Sequence, residues 1–144
     1  MSSKPAVPEK IQNQIIPYLA PKIKGCIANL PSAQLDQLEE IRLRLGKPLS
    51  LHMMKSEMFL GESGKLSRLA REGYIVTEDD VVRTLAAVSG NSVYALEEEL
   101  KRGFITIRGG HRVGLAGKTI LEGGQIKSMK EFSGLAIRVA RELP

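Results

Sequence analysis

Six arginines carry the chemistry this sequence offers most openly. Arg42, Arg44, Arg108, Arg112, Arg138 and Arg141 all fall in or beside segments whose apolar residues alternate. Arg42, Arg44 and Arg138 occupy the positions opposite that alternation. A sheet that buries its apolar face against helices would therefore present several guanidinium groups on its other face. A guanidinium donates two parallel hydrogen bonds, so it suits phosphate oxygens better than an ammonium does. The chemistry implied is recognition of phosphate, or neutralisation of charge developing on a phosphoryl group. Charge pattern alone fits equally well with ordinary surface arginines in scattered ion pairs.

Other strings that tempt a catalytic reading fail on spacing or context. Leu115-Ala116-Gly117-Lys118-Thr119 ends like a phosphate-binding loop, but the position that must be glycine, five residues before Gly117, is Arg112. The string also lies in an alternating pattern, with no helix after it to aim its N-terminal dipole at phosphates. Gly114-Leu115-Ala116-Gly117 matches the four-residue clamp of a KH module, yet that clamp joins two helices and this one lies between strands. His52, His111 and Cys26 are far apart and form no metal-ligand spacing, so no metal is expected. Cys26, the single cysteine, cannot close an internal disulfide and reads as a small buried thiol. Glu97-Glu98-Glu99 reads as a solvated helix face. No catalytic residue is expected within these 144 residues.

Bulk properties bound the rest. A chain of 144 residues with 42% apolar composition supports one hydrophobic core. A net charge of +5, from 21 basic and 16 acidic residues, favours an acidic partner: nucleic acid, nucleotide phosphate or an anionic membrane surface. Aromatic content of 4% without tryptophan leaves few platforms for stacking single-stranded bases, which argues against nucleic acid. No apolar run approaches the roughly 20 residues that cross a bilayer, and no cleavable leader is visible, so a cytoplasmic location is expected.

The elements that must position the arginines follow from period and punctuation. Pro8 opens a short helix with Ile11 and Ile15 on one face, a second places Ile23, Ile27 and Leu30 together, and Ser32 offers an N-cap for a third carrying Leu35 and Leu38. From Ile41 the period becomes 2: Ile41, Leu43 and Leu45 predict one strand, and Leu49, Leu51 and Met53 the next. A weaker hairpin spans Met58 to Leu69. Thr77 and Asp80 form an acidic capping box for a helix burying Val81, Leu85 and Val88. After Gly90 and Asn91 a second helix puts Val93, Leu96 and Leu100 on one stripe, with Glu97/Lys101 and Glu98/Arg102 paired at i,i+4 and Gly103 closing it. Strands are then expected over Phe104 to Arg108, His111 to Glu122, Gln125 to Lys127 after a Gly123-Gly124 turn, and Leu135 to Val139. The expected fold is α+β: short N-terminal helices, a mixed or antiparallel sheet with hairpins, and two central helices packed on one face. Residues 1–37 form a helical extension and 38–144 the α/β domain.

At Tyr94 to Gly117, YALEEELKRGFITIRGGHRVGLAG, the sequence resembles the stage III sporulation protein AA family of endospore-forming bacteria. EIRLRLGKPL (Glu40 to Leu49) and SGLAIRVARE (Ser133 to Glu142) share the likeness, and GGHRVGLAG (Gly109 to Gly117) is its most specific part. That family looks like a distant relative of the ring-forming ATPases of type II and type IV secretion. The resemblance implies an N-terminal assembly and regulatory domain of an ATPase that powers a secretion-like channel from mother cell to forespore. A RecA-like motor domain and its phosphate loop would lie beyond Pro144, so residues 1–144 alone would neither hydrolyse ATP nor bind it tightly. ATP and Mg²⁺ are implied for the full-length protein. The partners implied are the motor domain, neighbouring subunits in a ring, and a membrane platform protein, with the chain peripheral to the channel on the mother-cell side. By analogy with the related motors, Arg112 and Arg138, then Arg108 and Arg141, would reach nucleotide phosphates, with Arg42 and Arg44 as a secondary basic face. The alternatives are a free-standing nucleic-acid-binding module using the same arginines, and a purely structural oligomerisation domain.

Overall fold

Strand β1 (Leu38–Arg44) sets the pattern for the molecule. Ile41 and Leu43 are fully buried while Arg42 and Arg44 leave the opposite face, as the pleat requires. Leu38 shares the buried face with Ile41 although three residues separate them, because a register shift between Leu38 and Glu40 takes up the extra residue. The computed structural model describes residues 6–123 and 125–141.

Among the described residues six further strands join β1: β2 (Ser50–Met53), β3 (Glu57–Leu60), β4 (Leu66–Ser67), β5 (Ile105–Thr106), β6 (Arg112–Glu122) and β7 (Gln125–Arg138). They form one sheet in the order β4-β3-β2-β1-β7-β6-β5, antiparallel at every pairing. The fold is α+β, and β1 pairs with β7. Gln125 to Lys127 and Leu135 to Val139, expected as separate strands, fall at the two ends of β7, which stops at Arg138. The alternation breaks between them at Glu131, whose φ is 50°, and the register against β6 shifts between Ala116 and Lys118. Gly123 turns the hairpin with a φ of 61°; Gly124 lies outside the described residues. The strand expected over Phe104 to Arg108 shortens to β5. Leu45 falls past the end of β1, in a turn where Lys47 N–H donates to the Arg44 carbonyl, and is 42% exposed instead of buried.

The apolar face of the sheet carries the helices. Helix α1 (Val7–Lys10) continues into a π-helical turn over Ile11–Ile15 and a 3-10 turn over Ile16–Tyr18, and α2 (Pro21–Ala28) and α3 (Ser32–Leu35) follow. Prolines begin or interrupt these pieces because proline fixes φ and donates no amide bond. Ser32 is the first helical residue of α3 instead of its cap; Pro31 holds the cap position, and Leu38 begins β1. Ile11, Ile15, Ile23 and Ile27 are fully buried in the same hydrophobic cluster as Ile41, Val113 and Ile137.

Helix α4 (Glu78–Val88) packs on β7 and β1, and α5 (Val93–Leu100) on β7 and β5. The capping box of α4 is present: Thr77 Oγ1 accepts from Asp80 N–H at 3.2 Å and the Asp80 carboxylate accepts from Thr77 N–H at 2.9 Å. Asp80 is 2% exposed and also accepts from the Tyr74 hydroxyl at 2.7 Å. Burial, then this bond to Asp80, pushes the Tyr74 hydroxyl up to about 12. Ala20 N–H donates to Thr84 Oγ1 at 3.0 Å, tying the start of α2 to α4. Leu96 of α5 is buried; the Val93 and Leu100 side chains lie outside the described residues. Lys101 pairs with Glu98 at 3.2 Å, an i,i+3 contact, in place of the expected partner Glu97. Among the described residues no helix is long and apolar enough to cross a membrane.

Candidate functional site

The face of the sheet away from the helices presents its charges in transverse rows. Glu57, His52, Glu40, Arg138, Arg112 and Thr106 stand opposite one another across β3, β2, β1, β7, β6 and β5. Arg112 and Arg138 are thus direct cross-strand neighbours, a like-charge pairing that opposes strand association unless an anion compensates it. One row further along β1 stand Arg42, Ala136 and Gly114, and beyond them Arg44, Gly134 and Ala116. The small residues leave a groove of about 420 Å³, floored by Gly114, Ala116, Gly134 and Ala136 and edged by Arg42 and Arg44. Gly134 is fixed by packing, since a Cβ there would lie 2.5 Å from the Leu43 carbonyl oxygen of the neighbouring strand.

The arginines differ in how firmly they are held. Arg42 Nε donates to Glu40 Oε2 at 2.5 Å. Arg138 Nε lies 3.8 Å from Glu40 Oε1, with its side chain 76% exposed. Arg112 lies over the Phe104 ring with its Cζ 4.4 Å from the ring centroid, a cation–π contact. Arg44 is exposed on β1 and pairs with no described carboxylate. A second depression, of about 410 Å³, adjoins this face and is bordered by Glu40, Arg138 and Arg141 among others. Arg141, however, directs both terminal nitrogens at the Asp36 carbonyl, clipping the end of β7 to the end of α3. Arg108 is exposed in the turn between β5 and β6, outside the row.

The glycine-rich segment before β6 anchors Arg112. Gly109 and Gly110 have φ of 97° and 84°, and a Cβ on Gly109 would collide with the Gln14 carboxamide. His111 is fully buried. Its Nδ1 accepts from Ala140 N–H at 2.9 Å, so the proton resides on Nε2, which donates to Gln14 Oε1 at 2.7 Å. Burial, helped by Lys10, holds the imidazole below its ordinary pKa. One neutral ring therefore ties the N-terminal helices to the start of β6 and the end of β7, immediately beside the Arg112 and Arg138 row.

The structure brings Arg112, Arg138, Arg42 and Arg44 onto one face and leaves Arg108 and Arg141 at its margins. Sequence reasoning missed Glu40, which organises two of these arginines. Its signal was present in the i,i+2 spacing of Glu40, Arg42 and Arg44. It also missed Phe104 as the stacking partner of Arg112, eight residues away across the β5 hairpin. Among the described residues no group of three or more His, Cys, Asp or Glu side chains converges to hold a metal ion.

The model of the family described as sporulation stage III, protein AA, matches residues 9–144. The stage III sporulation protein AA of Bacillus subtilis (strain 168) is 36% identical over 130 residues, covering 90% of this chain. The chain spans 38% of the length of that relative. No solved structure matches the chain.

Proposed function

The chain belongs to the sporulation stage III, protein AA family, and we propose that it serves there as the N-terminal assembly and regulatory part of an ATPase, turning its arginine face toward nucleotide phosphates. The nucleotide, as ATP with Mg²⁺, is held by a RecA-like domain elsewhere in the full-length protein. The observation that supports this reading best is the direct opposition of Arg112 and Arg138 on an open sheet face. Directly opposed residues have Cβ atoms about 5 Å apart, so both guanidinium groups reach a single tetrahedral anion. Each donates paired hydrogen bonds to phosphate oxygens and neutralises charge that builds up during phosphoryl transfer. Arg44 and Arg42 extend the positive field along β1. Arg108 approaches from the β5–β6 turn, and Arg141 keeps the end of β7 in place.

In this role the domain forms a ring with neighbouring subunits and docks on a membrane platform protein. The assembly powers a secretion-like channel from the mother-cell side. ATP turnover by the full-length protein tests the reading. Arg112→Ala and Arg138→Ala should each lower it by at least about 10²-fold, the scale seen when one preorganised donor to a developing charge is removed. Variants that fold, assemble and turn over ATP like the wild type would remove the catalytic role.

A further inference from the structure

We propose that Glu40 is an internal competitor for the arginine face: its carboxylate occupies Arg138 in the absence of phosphate and yields it when phosphate arrives. The inference rests on the reading above and adds its regulation.

The geometry separates two jobs for one carboxylate. Glu40 is 12% exposed, whereas Arg42 and Arg138 are 36% and 76% exposed. Its Oε2 takes a short hydrogen bond from Arg42, which fixes the carboxylate on the sheet. The Oε1 atom faces Arg138 at 3.8 Å, an ion-pair separation well beyond a hydrogen bond. Arg138 is drawn to this oxygen without being locked to it, and water screens the attraction. Among the described residues the Glu40 carboxylate forms ion pairs with Arg42 and Arg138, while Nε2 of His52, its neighbour on β2, lies 3.1 Å from Glu57 Oε2.

Arg138 therefore stands between two possible anions. Toward β1 is Glu40; toward β6 is any anion shared with Arg112, which lies over Phe104 and pairs with no described carboxylate. A phosphate group brings more charge and more acceptor oxygens than the carboxylate, so exchange runs in its favour when it is held nearby. Stray phosphate meets both the competing contact and the repulsion of a fixed negative charge. The face is thereby kept weak for free anions and effective for a phosphate that another domain delivers.

The test is a calorimetric titration of the 144-residue chain with inorganic pyrophosphate at low ionic strength. Glu40→Gln should tighten binding by about two- to five-fold, the range of an exposed ion pair. The gain should shrink when Arg138→Ala is also present, since only the repulsion of the fixed charge then remains, and Glu9→Gln, which removes the same charge from α1, should leave affinity unchanged. Unchanged or weaker binding by Glu40→Gln overturns the inference. So does the same gain in the Arg138→Ala background, or no binding by either wild type or Glu40→Gln. Should Glu40→Gln fail to fold, Glu40→Asp, which shortens the reach, takes its place and must tighten binding in the same direction. Weakening by Arg112→Ala and Arg138→Ala with no effect at Glu40 sinks the competitor alone. Full affinity in both arginine variants sinks the arginine reading with it.

Discussion

Replacing His111 by alanine should lower the free energy of unfolding by about 2 to 6 kcal/mol at pH 8. The ring is fully buried and satisfies two groups, Ala140 N–H and the Gln14 carbonyl oxygen. Alanine leaves both without a partner, at roughly 1 to 3 kcal/mol for each group that stays buried. The loss should also depend on pH. In the unfolded chain the imidazole takes up a proton near its ordinary value of 6.5, while in the folded chain burial, then Lys10, holds the pKa lower. A protonated Nδ1 would turn an N–H against the Ala140 N–H that it must accept from. The ring's contribution is thus fully present above pH 6.5 and declines as pH falls toward the folded value, by up to about 1.4 kcal/mol per pH unit. Denaturant unfolding of wild type and His111→Ala between pH 8 and pH 5 measures the gap. A gap that narrows below pH 6.5 supports the assignment, and one that stays constant or widens with acid refutes it.

Thr77→Ala should cost about 1 kcal/mol by removing the acceptor for Asp80 N–H at the start of α4, read as a shift in denaturation midpoint at constant slope. Gly134→Ala forces a Cβ to within 2.5 Å of the Leu43 carbonyl, so it should destabilise by about 1 to 3 kcal/mol in the same assay. Arg141→Ala should loosen the contact to Asp36 and lower stability, while changing ATP turnover of the full-length protein far less than Arg112→Ala does.

What the sequence revealed was whatever depends on near neighbours. The alternation of Ile41 and Leu43 with Arg42 and Arg44 placed the arginines on the open face, and Thr77 with Asp80 marked the start of α4 three residues apart. Gly103 was legible as the helix-closing position that takes positive φ. The misreadings share a cause in long-range or irregular structure. Glu131 interrupts the period within β7, so one long strand looked like two separate ones. Leu45 continued the β1 alternation on paper, but the turn after Arg44 carries it into solvent. Glu40 meets Arg138 only because β1 and β7 pair, and His111 meets Gln14 across 97 residues. Local periodicity holds no record of such pairings. Arg141 had an arginine's ordinary appearance, and only the fold shows it directed at a backbone carbonyl.

The function proposed depends on where two guanidinium groups lie when nucleotide is bound. A structure of the full-length assembly with a non-hydrolysable ATP analogue and Mg²⁺ measures this directly. Arg112 and Arg138 nitrogens should then lie at hydrogen-bond distance, about 3 Å, from phosphate oxygens, with Arg138 released from Glu40. Both arginines remaining beyond reach of the phosphates, with the sheet face covered by some other element, would contradict it.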